Sequence, residues 1–173
     1  MEASRNPSPR TLLVMGRVSN LPTVWSNVLC GWLLGGGGSV LRLLAFALAA
    51  SALYVGGMYL NDALDADFDR QHRRERPIPS GAIDEALAWR IGGALLASGT
   101  LLASCLGWST ALLAVLLALS ILLYDAVHKA VAFSPVIMAS CRLLLLLGAS
   151  STGNEGVTGI AIWASLVLAG WIV

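Results

Sequence analysis

Charged side chains in this sequence fall in clusters, and between the clusters run long uncharged stretches rich in Leu, Ala, Val and Ile. Arg17 and Arg42 bracket one such stretch, Arg42 and Asp62 the next, Arg90 and Asp125 a third, and the last follows Glu155. About 20 apolar residues cross a hydrocarbon core of roughly 30 Å as an α-helix, and none of these runs alternates as a barrel strand does. Between Arg90 and Asp125 lie 34 uncharged residues. As one helix they would extend about 51 Å, too long for a single crossing. Gly107-Trp108-Ser109 near their middle supplies a turn and an interfacial aromatic, so two helices are expected there. The resulting helices are 19–35, 41–62, 85–106, 109–127, 134–150 and 157–173, and the first stops at the tract Gly35-Gly36-Gly37-Gly38. Peptide groups in lipid must be satisfied within their own segment, so the fold class is all-α: a polytopic transmembrane bundle of about six helices.

Composition agrees. Of 173 residues, 57% are hydrophobic and only 12% charged, against about a quarter charged in soluble domains. The formal net charge of +1 gives no reason to expect nucleic acid as a partner. Cys30, Cys105 and Cys141 are isolated in apolar runs and read as packing residues, with neither a zinc site nor a disulfide framework. Residues 1–18 read as a polar cytoplasmic lead to a single membrane domain, and no cleaved signal peptide is expected. Arg5, Arg10, Arg17, Arg70, Arg73, Arg74, Arg76 and Lys129 all alternate onto one side, leaving Arg42 alone in the opposite loops. The positive-inside rule puts the N-terminus and the 63–84 and 124–133 segments on the cytoplasmic face of a cell membrane.

The segment Asn61-Asp62-Ala63-Leu64-Asp65-Ala66-Asp67-Phe68-Asp69 sets four carboxylates and an amide at the cytoplasmic end of the second helix. If that helix continues, then relative to Asp62 the wheel places Asp65 at about −60°, Asp69 at about −20° and Asn61 at about −100°. These four share a face. Asp67, at about +140°, points elsewhere, to solvent or to an Arg. Carboxylates stacked this way repel, and a divalent cation relieves the conflict; hard oxygens suit Mg²⁺, which shares its coordination with substrate phosphates. A solvated acidic helix end pairing with the arginines beside it is the simpler alternative. Arg70, Arg73, Arg74 and Arg76 follow at once, and they suit either a metal-bound polyanion such as diphosphate or a plain membrane anchor. Pro77 and Pro79 stiffen the loop, and Asp84 is placed to cap the third helix.

The string Asn-Asp-x-x-Asp-x-x-x-Asp at 61–69, trailed by Arg-Pro-Ile-Pro-Ser-Gly at 76–81, resembles the first aspartate-rich motif of the UbiA-type intramembrane prenyltransferases. Tyr124-Asp125-Ala126-Val127-His128-Lys129, Ser134-Pro135 and Cys141-Arg142 look like that family's later landmarks. The opening Ser19-Asn20-Leu21-Pro22-Thr23-Val24-Trp25 is most similar to a bacterial subgroup, that of the ebo cluster. The resemblance implies that Asn61, Asp62, Asp65 and Asp69 hold Mg²⁺ against an isoprenyl diphosphate. It further implies that Arg76 and Lys129 contact the diphosphate and that Tyr124 lines the cavity near the allylic carbon. Arg142 is intramembrane on the helix assignment, so it is expected to face the bundle interior, as a substrate-binding residue, or to snorkel. Asp62, Asp65, Tyr124 and Lys129 would then form the catalytic set. Some members carry Lys where this chain has His128, so which of His128 and Lys129 faces the site stays open. The reaction implied is transfer of the isoprenyl group to an aromatic or other lipophilic acceptor within membrane lipid.

The family's usual chain has about nine transmembrane helices and a second aspartate-rich motif, whereas here only Asp125 and Glu155 are acidic after Glu85. The resemblance therefore covers roughly the N-terminal two thirds of the family's architecture, and a chain truncated at its C-terminus is expected. A noncatalytic protein that keeps the first motif to bind a prenyl lipid or to stabilise a helix bundle is the alternative reading. A cation transporter fits less well, because the acids lie at a helix end beside a basic loop.

Overall fold

The computed structural model describes residues 7–129 and 131–173. In chain order its helices are α1 (Pro9–Met15), α2 (Leu21–Leu34), α3 (Val40–Leu64), α4 (Ala66–His72), α5 (Glu85–Ser104), α6 (Trp108–Val127), α7 (Ser134–Ser150) and α8 (Gly159–Ile172), with a 3-10 turn at Val18–Asn20 before α2. The described residues contain no strand. All six expected helices are present, as α2, α3 and α5 to α8. Of these, α3, α5 and α6 are long and apolar enough to cross a membrane, while α7 and α8 are shorter apolar helices.

The helix ends have local causes. Ser39, Asp84 and Thr158 each accept a hydrogen bond from a first-turn backbone N–H of α3, α5 and α8. The α2 helix begins with Pro22 in its first turn and stops at Gly35, after which Gly36, Gly37 and Gly38 all adopt positive φ. Opposite the acidic end of the bundle, the Arg42 guanidinium donates to the Leu106 carbonyl at 2.6 Å and ties the start of α3 to the α5–α6 connection.

The α3 helix is central: α5 lies along one flank, while α2 and α6 pack on others, and α7 bridges α2, α6 and α8. Lipid tails are as apolar as Leu, so close packing rather than water exclusion drives such helices together. Small residues set the spacing at the α3–α5 contact. A Cβ on Gly56 would lie 2.8 Å from the Leu96 backbone nitrogen, and one on Gly92 would lie 2.8 Å from Leu60 Cγ. Phe46, Ala49, Leu53, Leu96, Leu117, Leu145 and Ala149 fill the interior. Leu41, Leu44, Leu48, Leu101, Leu119, Trp163 and Val167 are turned outward, as a surface facing hydrocarbon requires.

Two expectations are corrected. The second helix does not run unbroken through the acidic segment: α3 ends at Leu64, Asp65 is a single-residue joint (φ −82°, ψ −4°), and α4 begins at Ala66. Cys30 and Cys105 are exposed rather than packed; only Cys141 is partly buried against the core. Within the lead before the first long helix, α1 folds onto the bundle through buried Met15 and a hydrogen bond from the Tyr59 hydroxyl to the Leu12 carbonyl, 2.8 Å.

Candidate active site

The joint at Asp65 retains near-helical geometry, and the Asp69 N–H still bonds to the Asp65 carbonyl at 2.9 Å. The stripe on the wheel therefore survives the break. Asn61, Asp62, Asp65 and Asp69 are 7%, 8%, 6% and 1% exposed, whereas Asp67 lies in solvent.

Basic groups from three other segments converge on this buried stripe. Arg76 Nη1 sits 3.2 Å from both Asp62 Oδ1 and Asp69 Oδ2, pulled in from the proline-stiffened loop. Arg17 Nη2 reaches Asp62 Oδ1 at 3.4 Å. From the end of α6, Lys129 Nζ contacts Asp65 Oδ1 at 2.6 Å and His128 Nε2 lies 3.6 Å from Asp65 Oδ2. Both neighbours thus face the acidic stripe. The Lys129 ammonium also lies 4.0 Å from the centre of the Phe68 ring, a cation–π contact.

The rest of the arginine run points away. Arg70 bridges Asp67 (2.6 Å) and Glu85 (2.5 Å) on the outer surface. Hydrogen bonds to Glu85 and Asp67 raise its pKa above the ordinary guanidinium value. Arg73 lies beside the outer Phe68–His72 stack. Of the four loop arginines, Arg76 alone is paired with the buried acids.

Beneath the stripe, α2, α3, α6 and α7 enclose a cavity of about 210 Å³, walled mainly by apolar side chains such as Leu53, Met58, Leu117, Ile121 and Met138. Its polar lining comes from Arg17, Tyr54, Tyr124, Asp125 and Arg142, with Cys141 beside them. Tyr124 stacks on His128 with ring centres 5.2 Å apart, which ties this cavity-lining ring to the imidazole beside Asp65. Asn61 Nδ2 donates to Asp125 Oδ1 at 3.1 Å and links the stripe to the cavity wall.

Arg17 and Asp125 are site residues that the sequence reading did not assign a role. Arg17 looks like one more positive-inside residue, and only its left-handed backbone (φ 44°, ψ 43°) turns its side chain inward. Asp125 did carry a signal: it is a lone carboxylate at the inner end of a span, and such residues face the interior of a bundle.

Among the described residues, no group of three or more His, Cys, Asp or Glu side chains is gathered around one point as a ready-made metal cage. Mg²⁺ does not ask for one. It takes one or two carboxylates and completes its octahedron with water and substrate phosphate. The donors present are of that kind, and Asp69 Oδ1 is a buried carboxylate oxygen without a hydrogen-bond partner. The residues fit the ion.

Comparison with known proteins gives a consistent result. Residues 20–173 match the profile of the UbiA prenyltransferase family. Digeranylgeranylglyceryl phosphate synthase of Ignicoccus hospitalis is 38% identical over 98 residues, 57% of this chain and 32% of that protein. The enzyme of the same name from Metallosphaera sedula is 27% identical over 70% of this chain and 43% of its own length. Decaprenyl-phosphate phosphoribosyltransferase of Mycolicibacterium smegmatis is 41% identical over 51% of this chain and 25% of that protein. The chain therefore spans less than half the length of these relatives. Among solved structures, one of digeranylgeranylglyceryl phosphate synthase in membranes superposes with a TM-score of 0.79 at 23% identity, covering 92% of this chain and 56% of that one. The apo UbiA homolog from Aeropyrum pernix K1 gives 0.71 at 22% identity over 87% of this chain and 59% of its own. Those two establish a shared membrane-helical fold, and since the profile extends over nearly the whole sequence, the chain belongs to the UbiA prenyltransferase family.

Proposed function

We propose that this chain carries the donor-binding part of a Mg²⁺-assisted prenyl transfer site, in which an isoprenyl diphosphate reacts with an aromatic or other lipophilic acceptor inside the membrane. The observation that supports it best is the meeting of Asp62, Asp65 and Asp69 with Arg17, Arg76 and Lys129, where Arg17, paired with Asp62, also lines the apolar cavity. Such a rim is built for a polyanion with a greasy tail. The Lys/Arg asymmetry favours a cytoplasmic rim, where soluble donors arrive.

Asn61, Asp62, Asp65 and Asp69 would hold Mg²⁺. When bound, the ion supplies Lewis-acid charge neutralisation on the diphosphate oxygens. Arg76, Lys129 and Arg17 now neutralise the carboxylates, and in the complex they turn to the diphosphate. Their fixed charges stabilise the negative charge that accumulates as the allylic C–O bond breaks and its electron pair leaves with the diphosphate. Tyr124 lines the cavity and would stand beside the allylic carbon, where the negative face of its ring would favour developing cationic charge. The apolar walls exclude water, so the acceptor's electron pair rather than hydroxide forms the new bond. Burial of the isoprenoid tail adds about 0.8 kcal/mol per CH₂ transferred from water.

The reading is tested by release of diphosphate from labelled isoprenyl diphosphate with and without Mg²⁺, using the chain and its Asp65→Ala variant in lipid nanodiscs. Mg²⁺-dependent release that the variant loses by at least about tenfold, or roughly 1.4 kcal/mol, supports the assignment. Equal release from both rejects it. Binding of a nonhydrolysable farnesyl thiodiphosphate under the same conditions separates loss of chemistry from loss of the donor.

A further inference from the structure

Asn61 differs from the other members of the acidic stripe in what holds it. Asp62 is paired with Arg17 and Arg76, Asp65 with Lys129 and His128, and Asp69 with Arg76. Asn61 is tied to an acid. Its Nδ2 donates to Asp125 Oδ1 at 3.1 Å, from α3 across to α6, and both residues are buried. Among the described residues the Asn61 Oδ1 atom accepts no hydrogen bond.

The direction of this hydrogen bond is set by chemistry. A carboxylate only accepts, whereas an amide donates from one end and accepts at the other. Turned the other way, Asn61 would set its oxygen against the oxygens of Asp125. The nitrogen therefore faces Asp125, and the oxygen is left as the free end of the amide. Mg²⁺ is bound through oxygen and gains nothing from an amide NH₂. The orientation that Asp125 imposes is the one an amide ligand to that ion requires.

A tie between helices does not by itself explain an acid at position 125. Asp125 Oδ2 is buried without a hydrogen-bond partner, and burying a carboxyl group for a single hydrogen bond costs more than it returns. The guanidiniums lining the same cavity do not claim that oxygen: Arg17 is turned to Asp62 at 3.4 Å, and among the described residues no ion pair joins Asp125 to Arg142. Ser or Asn would join α6 to α3 at lower cost. Each can donate as well as accept, however, and would leave Asn61 free to present either end.

Resting on the prenyl-transfer reading above, we propose that Asp125 is a positioning residue for the metal site, which acts through Asn61 by holding the amide with its oxygen free for Mg²⁺. The three carboxylates must give up basic partners to take the ion, whereas Asn61 is set beforehand.

The test measures binding of Mn²⁺, a stand-in that shares the oxygen ligands of Mg²⁺, by loss of the free-ion EPR signal. The chain is held in phosphatidylcholine nanodiscs with farnesyl thiodiphosphate, and protein-free discs with the same probe are the blank. Asp125→Asn is expected to weaken binding about tenfold or more. In the Asn61→Ala chain the same change costs less than about threefold, because the effect passes through the amide. Equal losses in the two backgrounds overturn the proposal and leave Asp125 as a local charge. So does an Asp125→Asn chain that melts lower yet binds Mn²⁺ normally, which assigns Asp125 to stability alone. The exchanged pair, Asn61→Asp with Asp125→Asn, offers oxygen at both ends of residue 61 and keeps a donor opposite it, so it binds within about threefold of the unaltered chain. A tenfold loss there overturns the proposal, and that comparison stands even where a single variant fails to fold. An unaltered chain that takes up no Mn²⁺ overturns the metal-assisted reading and this proposal with it; the other outcomes leave that reading standing.

Discussion

The Lys129 ammonium lies 2.6 Å from Asp65 Oδ1, so the end of α6 is fastened to the single residue at which α3 gives way to α4. One ion pair thus couples the acidic rim to the helix that carries Tyr124 and Asp125 into the cavity. Replacing Lys129 with Met keeps most of the stem but removes the charge. His128, 3.6 Å from Asp65, remains as a weaker partner. Lys129→Met is expected to weaken farnesyl thiodiphosphate binding by about tenfold, equivalent to roughly 1.4 kcal/mol, and Lys129→Arg to restore much of it. Titration monitored by tryptophan fluorescence reads the difference directly.

Asp125 and Asn61 form a buried pair whose two members do not tolerate loss equally. Asp125→Ala strands the Asn61 amide away from water, and an unsatisfied buried donor costs about 1–3 kcal/mol. Asp125→Asn leaves an oxygen in place for the same 3.1 Å hydrogen bond. A lower melting temperature for the Ala variant than for the Asn variant is expected in detergent-solubilised protein. Equal destabilisation would mean that the carboxylate charge, rather than the hydrogen bond, matters at this position.

The helices and the acidic face were legible in the sequence because both follow from periodicity. Uncharged runs of span length leave little choice but helix, and the spacing of Asn61, Asp62, Asp65 and Asp69 fixes their common face even across the joint at Asp65. What pairs with that face was harder to read. Arg70, Arg73, Arg74 and Arg76 look alike in the chain, and only the course of the loop, with Pro77 and Pro79 behind it, aims Arg76 inward. The inward turn of Arg17 depends on a positive φ that no residue pattern announces. The exposed positions of Cys30 and Cys105 show a different limit of composition: an apolar run in a membrane helix has a lipid face as well as a packed one.

The contrast between Arg70 and Arg76 is open to test. Arg70 clamps Asp67 and Glu85 on the outer surface, where exposed ion pairs contribute little. Arg76 serves two buried carboxylates at once. Arg70→Ala is expected to leave Mg²⁺-dependent farnesyl thiodiphosphate binding within about twofold of the unaltered chain, while Arg76→Ala weakens it by about tenfold or more. Similar losses in the two variants would show that the arginine run acts as a diffuse positive field instead of through one directed contact.

Adjacent glycines in α5 offer a test of how the scaffold holds the rim in place. Gly92 faces α3, and a methyl group there would meet Leu60 Cγ at 2.8 Å, one residue before the acidic segment begins. Gly93 has open space around the same position. Both sit inside a helix, so the intrinsic gain from Gly to Ala, up to about 1 kcal/mol, is the same for the two. Packing decides the sign. Gly93→Ala is expected to stabilise the chain slightly, whereas Gly92→Ala forces α3 and α5 apart at an overpacking cost of about 1–3 kcal/mol. Because Leu60 precedes Asn61 and Asp62, the displacement also reaches the carboxylates, and Gly92→Ala should lose farnesyl thiodiphosphate affinity together with thermal stability. A Gly92→Ala variant that melts as high as Gly93→Ala and binds the donor normally would show that the α3–α5 contact is looser than its geometry implies.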